Sequence, residues 1–218
     1  IVTFGTLGAV AAFMVGKNLG WRHAFLAGGA MGLALLVVRM RSFESGMFKK
    51  VASEHVTGRG NFFRLFATRE RALRYLSCIA IGLPIWFAVG VLVALCARFA
   101  EANGSKDIVV GQAVMWAYIG ISFGDLVSGF LSQVLGSRRK VIAGYLVFLA
   151  AVSGIYLNAS GLSPLRFYAM TFLIGTGVGY WALFVTVASE QFGTDIRSTA
   201  ANTVPNFVRG AVVPITLS

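Results

Sequence analysis

Charge is scarce in these 218 residues. Asp, Glu, Lys and Arg together make up 12% of the chain, and Asp and Glu number only 8. Soluble domains carry charge on roughly a quarter of their residues, so this scarcity excludes an ordinary water-soluble fold. Cysteine is scarcer still, at 2, which excludes a disulfide scaffold. Cys78 and Cys96 lie on one apolar stretch, too far apart along a helix to bond each other, and read as small apolar side chains. The 2 histidines, His23 and His55, are isolated, too few ligands for a zinc site. There is no phosphate-binding glycine-lysine loop, and no Ser-His-Asp set has a shared location. Strict apolar–polar alternation over about ten residues does not repeat, which argues against a transmembrane barrel. No basic leader with a small-residue cleavage site is seen either.

What is abundant is apolar surface: 57% of the residues, with a mean hydropathy of +0.77. A helix needs about 20 apolar residues to cross the hydrocarbon core. Tyr75 to Ala97, Val141 to Leu165 and Phe167 to Ser189 carry no charge, and Ile108 to Ser137 carries one, Asp125. Trp21 to Val38 is shorter, with Arg22 and His23 at its start, where side chains reach the interface. These are five predicted crossings. Ile1 to Gly16 reads as the end of an earlier one and Val204 to Ser218 as the beginning of another. The sequence opens on Ile and stops inside an apolar run, so it is expected to be a piece of a longer chain. The 26 glycines suit helices that approach closely in lipid.

Orientation follows from the basic residues. With connections alternating between sides, one side receives Arg39, Arg41, Lys49, Lys50, Arg59, Arg64, Arg69, Arg71, Arg74, Arg138, Arg139, Lys140, Arg197 and Arg209. The other receives Lys17, Arg22, Arg98, Lys106 and Arg166. The first set is most of the 19 Lys and Arg and is read as cytoplasmic. The net charge of +11 is then topological, and no nucleic-acid partner is needed. The long connection from Arg39 to Arg74 holds Phe62, Phe63, Leu65, Phe66, Leu73 and Leu76 at spacings compatible with one helical face. It reads either as a helix on the inner leaflet or as a basic linker. On both readings it is the seam between an N-terminal part (1–40), a connecting loop (41–72) and a C-terminal part (73–218).

Three connections, in order, resemble a known family. Gly20-Trp21-Arg22-His23-Ala24-Phe25 followed by Arg41-Ser42-Phe43-Glu44-Ser45-Gly46 resembles the entry and exit of the sixth helix in the major facilitator superfamily, with Gly46 in place of proline. Gly129-Phe130-Leu131-Ser132-Gln133-Val134-Leu135-Gly136-Ser137-Arg138-Arg139-Lys140 is similar to its signature loop, with Gln133 where aspartate is usual and Ser137 where arginine is frequent. Ser189-Glu190-Gln191-Phe192-Gly193-Thr194-Asp195-Ile196-Arg197-Ser198-Thr199-Ala200 resembles the acidic-to-arginine stretch after the tenth helix of sugar-porter and metabolite-symporter relatives. The resemblance implies the end of helix five, helices six to ten and the start of eleven. It implies an all-α membrane protein, a partial bundle of five full and two partial crossings from a twelve-helix whole.

Within that frame the chemistry-bearing residues are few. Asp125 is the one charge inside a long apolar crossing and should face a partner or a water-filled cavity. Arg209 lies at matching depth, each being 11 positions from its cytoplasmic helix end, about 16 Å. The pair reads as a gate that breaks and forms, as a proton-coupling site at Asp125, or as a static contact. Arg138, Arg139, Glu190 and Arg197 sit on loops that the resemblance brings together. They are candidates for an inner latch, though basic loop residues are also required for topology. Gly82 and Pro84, and Gly177 and Gly179, are candidate points of helix flexibility. The family uses helices seven and ten for its cavity, which makes Trp86, Tyr180 and Trp181 candidate solute contacts. Gln112 and Trp116 share a face of helix eight. For each of these five, packing against another helix is the competing reading.

The expected function is a secondary active transporter. It would move a small polar organic solute by alternating access, with protons as a candidate coupling ion and the bilayer as its solvent. It would lie in an inner (cytoplasmic) or plasma membrane, with no cofactor and no metal. The alternatives are a transporter-like receptor or scaffold, and an enzyme embedded in the membrane; the latter lacks a nucleophile or metal cluster.

Overall fold

A computed structural model describes residues 2–40, 61–193 and 196–217. The expected motif at Arg41–Gly46, and Thr194 and Asp195 of the later one, lie outside these. All regular structure among the described residues is helical. The chain divides into two compact units, one of Ala11–Arg59 and one of Ile1–Val10 with Gly60–Ser218.

The smaller unit holds the second half of α1 (Val2–Leu19) and all of α2 (Trp21–Met40). Gly20, at φ 85°, supplies the left-handed residue that separates them. None of the residues of α2 is buried, as a helix whose solvent is hydrocarbon allows.

The main part of the larger unit opens with a short 3₁₀ turn, Phe62–Phe66, followed by α3 (Arg69–Phe87). Thr68 caps α3, its hydroxyl accepting from the Arg71 N–H at 3.3 Å, with Glu70 in the first turn where the helix dipole favours a carboxylate. This cap corrects the single amphipathic face expected over 62–76. Leu65 is fully buried while Phe63, Leu73 and Leu76 are exposed, because the chain changes helix at Ala67–Thr68. Pro84 then removes an N–H from α3. A π-helical stretch, Ala88–Val93, follows it, and α4 (Cys96–Ala102) ends the crossing. Cys78 and Cys96 are buried free thiols.

The remaining helices are α5 (Val110–Val134), α6 (Arg138–Asn158), α7 (Pro164–Val178), α8 (Trp181–Glu190), α9 (Arg197–Gly210) and α10 (Val212–Leu217). Among the described residues, five helical stretches are long and apolar enough to span a bilayer: Trp21–Met40, Arg69–Val93, Val110–Val134, Arg138–Asn158 and Pro164–Glu190. They coincide with the five predicted crossings. One differs in kind. The stretch expected as one helix over Phe167–Ser189 is two, α7 and α8, broken at Gly179 and Tyr180.

Glycine explains the tightest contact. A Cβ on Gly175 would lie 2.0 Å from the Ala117 carbonyl oxygen, one on Gly120 2.1 Å from that of Phe172, and one on Gly124 2.3 Å from that of Thr176. The backbones of α5 and α7 therefore touch directly, as small residues permit in lipid. A Cβ on Gly179 would lie 2.3 Å from the Gly124 carbonyl carbon, on the same line.

Candidate functional site

A cavity of about 170 Å³ lies within the larger unit, where α3, α5, α7, α8 and α9 converge. The indoles of Trp86 on α3 and Trp181 on α8 meet edge to face there, centroids 6.1 Å apart. Arg209 of α9 sits over the Trp86 ring with its guanidinium carbon 4.9 Å from the centroid, an attraction that strengthens away from water. The Trp86 indole N–H is buried without a hydrogen-bond partner. Tyr118 and Ile121 of α5 and Thr6 of α1 also line it, with Ile85, Val89 and Val178. The Thr6 and Ser122 hydroxyls are bonded to each other at 2.6 Å. The cavity thus offers two large aromatic surfaces and one cation, able to hold a small organic molecule that has an apolar body and an anionic or carbonyl end.

Beside it, Asp125 is 6% exposed. One carboxylate oxygen accepts the Ala182 N–H at 3.4 Å, and the other is buried without a hydrogen-bond partner. Ala182 belongs to the first turn of α8, whose leading N–H groups have no partner within their own helix. The break at Gly179–Tyr180 thus opens a helix N-terminus inside the crossing, and Asp125 supplies the negative charge that its dipole favours. The Ser128 hydroxyl donates to the Gly179 carbonyl at 2.7 Å, and the Tyr145 hydroxyl to that of Gly124 at 2.9 Å. Both fix the two backbones at the break.

At the arginine-rich end of the same helices, Arg138 at the start of α6 forms an ion pair with Glu190 at the end of α8. Arg197 instead donates from Nε to the Phe192 carbonyl at 3.5 Å. Arg139 points elsewhere, into a crevice between α3, α6 and α8.

Comparison with known proteins decides the family. The profile of the Major Facilitator Superfamily matches residues 2–212. The chain belongs to this superfamily. It is also 28% identical, over 211 residues, to a protein named a probable 4-methylmuconolactone transporter from Cupriavidus pinatubonensis. That match covers 91% of this chain but 47% of the relative, so the chain spans about half of the relative's length. No solved structure matches it. With its five apolar spans, this superfamily member is an integral, multi-pass membrane protein.

Among the residues singled out in the sequence, the superfamily fold brings Trp86, Trp181 and Arg209 to one cavity. It does not bring Tyr180, Gln112 or Trp116 there. Tyr180 is fully buried, its hydroxyl donating to the Ile81 carbonyl at 2.8 Å, so it ties α8 to α3. Trp116 packs edge-on to Phe172 at 6.4 Å in a separate crevice. It lies two residues, about 200°, from Tyr118 on the same helix, and so on the opposite side. Gln112 is half-buried one turn away on that side. Asp125 and Arg209 do not pair in this structure: the carboxylate takes the Ala182 N–H and the guanidinium lies over Trp86, while Gly124 packs α5 onto Gly179 beside the carboxylate. Of the glycines expected to give flexibility, Gly82 faces Phe184 and Val208, where a Cβ would come within 2.6 and 2.7 Å. Gly177 packs on Leu149. Sequence reading missed Tyr118, Ile121 and Ser122, although with Asp125 they follow the i, i+3, i+4, i+7 pattern of one helix face.

Proposed function

We propose that the full-length protein is a secondary active transporter that moves a small polar organic solute by alternating access. The observation that carries this reading is the cavity in mid-crossing where Arg209 lies over Trp86, in a chain of this superfamily. The cation receives a carboxylate or carbonyl of the solute, and the two indoles receive its apolar body. The relative's name, a probable 4-methylmuconolactone transporter, supports an organic solute of this size class. Because the chain spans 47% of that relative, the complete cavity is proposed to be shared with the rest of the protein. The Arg138–Glu190 ion pair serves as an inner latch that separates when the cytoplasmic side opens. A proton-coupled form of the reading is favoured by the buried, unpartnered oxygen of Asp125, a carboxylate placed where protonation alters its grip on α8.

Uptake of labelled 4-methylmuconolactone, and of other small organic acids, into proteoliposomes of the full-length protein tests this. Accumulation above empty liposomes, dependent on an imposed proton gradient, is expected for at least one of them. Arg209→Gln is expected to raise KM about tenfold or more, the loss of one charge-assisted contact. Arg209→Lys should recover little of it, since an ammonium does not stack as a planar guanidinium does. Binding of solute with no accumulation would favour a receptor over a transporter.

A further inference from the structure

Among the described residues, the buried side-chain atoms without a hydrogen-bond partner belong to Trp86, Ser105 and Asp125. Trp86 lines the cavity of Arg209 and Trp181, and its indole N–H donates to nothing. That group is a donor only and has no second way to be satisfied. Kept from water and unpaired, it costs free energy that folding must make up elsewhere. Packing alone does not call for it. A phenyl ring could also meet Trp181 edge to face and take Arg209 over its face, with no N–H to satisfy.

The hydroxyls around the cavity are already committed. Those of Thr6 and Ser122 are bonded to each other, and Ser122 donates onward to the Tyr118 carbonyl at 3.0 Å. Tyr180 donates to the Ile81 carbonyl. An acceptor for Trp86 therefore has to come from what the cavity holds. The two donors on offer also point in different directions. The guanidinium of Arg209 lies over the face of the indole, 4.9 Å from its centroid, whereas the N–H lies in the ring plane at the edge. An oxygen that meets Arg209 sits above the plane, and an oxygen that meets the N–H sits within it. The ring is only half-buried, and the torsion that turns it about its own bond is broad. A modest rotation brings the N–H edge to the occupant.

We propose that the Trp86 N–H reads a second oxygen of the solute, so that the preferred solutes are carboxylic acids bearing a ketone or lactone carbonyl besides the carboxylate. This specificity rests on the solute cavity proposed above. The probes are two pairs of acids, titrated into the purified full-length protein by calorimetry: levulinate against valerate, and cyclohexanecarboxylate against its ring-ketone counterpart. Wild type is expected to bind the ketone of each pair about tenfold more tightly, the value of one hydrogen bond to an otherwise unpaired donor. Trp86 replaced by benzothienylalanine keeps both rings and exchanges the N–H for sulfur; the preference should fall to about one. Arg209→Gln should weaken both members of a pair and leave their ratio standing. The melting temperature of the solute-free protein should not fall on the benzothienylalanine replacement. A fall of several degrees would overturn the proposal, because the N–H would then have an acceptor within the full-length protein. Equal affinity within each pair in wild type overturns it too and leaves the transport reading intact, as does a ketone preference that survives loss of the N–H. Failure of all four acids to bind would remove the solute cavity and the proposal together.

Discussion

Asp125 is the residue on which sequence and structure differ most instructively. Its carboxylate is committed to the Ala182 N–H while Arg209 is committed to the Trp86 ring. Stability in this conformation should therefore show no coupling between the two. In a double-mutant cycle of Asp125→Asn and Arg209→Gln, read by thermal unfolding in detergent, the effects should add to within about 0.5 kcal/mol. Asp125→Leu should cost about 1–3 kcal/mol, because it leaves a buried helix N–H unpaired, whereas Asp125→Asn keeps an acceptor there and should cost less. A larger coupling between Asp125 and Arg209 would place the two side chains together, contrary to the arrangement described.

At the scale of elements, the contact of α5 with the α7–α8 break sets the position of everything else in the site. Because Gly124 and Gly179 meet backbone to backbone, neither tolerates a methyl group without parting the helices. Gly179→Ala should destabilise the protein by about 1–3 kcal/mol, the cost of overpacking, and shift Trp181 fluorescence as α8 moves. Gly144, on α6, has nothing within 4 Å of a built Cβ. Gly144→Ala should be neutral or slightly stabilising, by about 0.5–1 kcal/mol, through helix propensity. Equal melting temperatures for the two variants would contradict the close approach. The break also explains why a charge-free run in the sequence forms two helices. Gly179 allows the approach to α5, the Tyr180 hydroxyl is drawn to the Ile81 carbonyl, and Asp125 holds the new N-terminus.

At the scale of the whole molecule, the Arg138–Glu190 pair ties the start of α6 to the end of α8, and on the latch reading proposed above it separates when the cytoplasmic side opens. Its side chains are 41% and 50% exposed, and pairs of that kind contribute about 0–1 kcal/mol. Glu190→Gln should therefore shift the balance of conformations by no more than about fivefold. Cysteine accessibility of inward-facing positions in the full-length protein should report the shift. The charge-swapped variant, Arg138→Glu with Glu190→Arg, should return it toward wild type. A shift that the swap does not reverse would mean that each residue acts through topology, the excess of basic charge on that side, and not through the pair.

Some of this could be read without coordinates. A charge-free run long enough to cross hydrocarbon has few other uses, so Tyr75 to Ala97 and its counterparts announced themselves as spans, and the family followed from the connections between them. Trp86, Trp181 and Arg209 were legible as candidates because bulky aromatics and a charge inside a crossing are rare. What periodicity and depth do not contain is azimuth, the direction in which each helix is turned about its axis. That is set by which backbones meet, at Gly120, Gly124, Gly175 and Gly179, and it is decided only when the helices pack. The same contact sent Trp116 away from the cavity, buried Tyr180 against α3, brought Tyr118 to the lining and gave Asp125 to α8 instead of to Arg209.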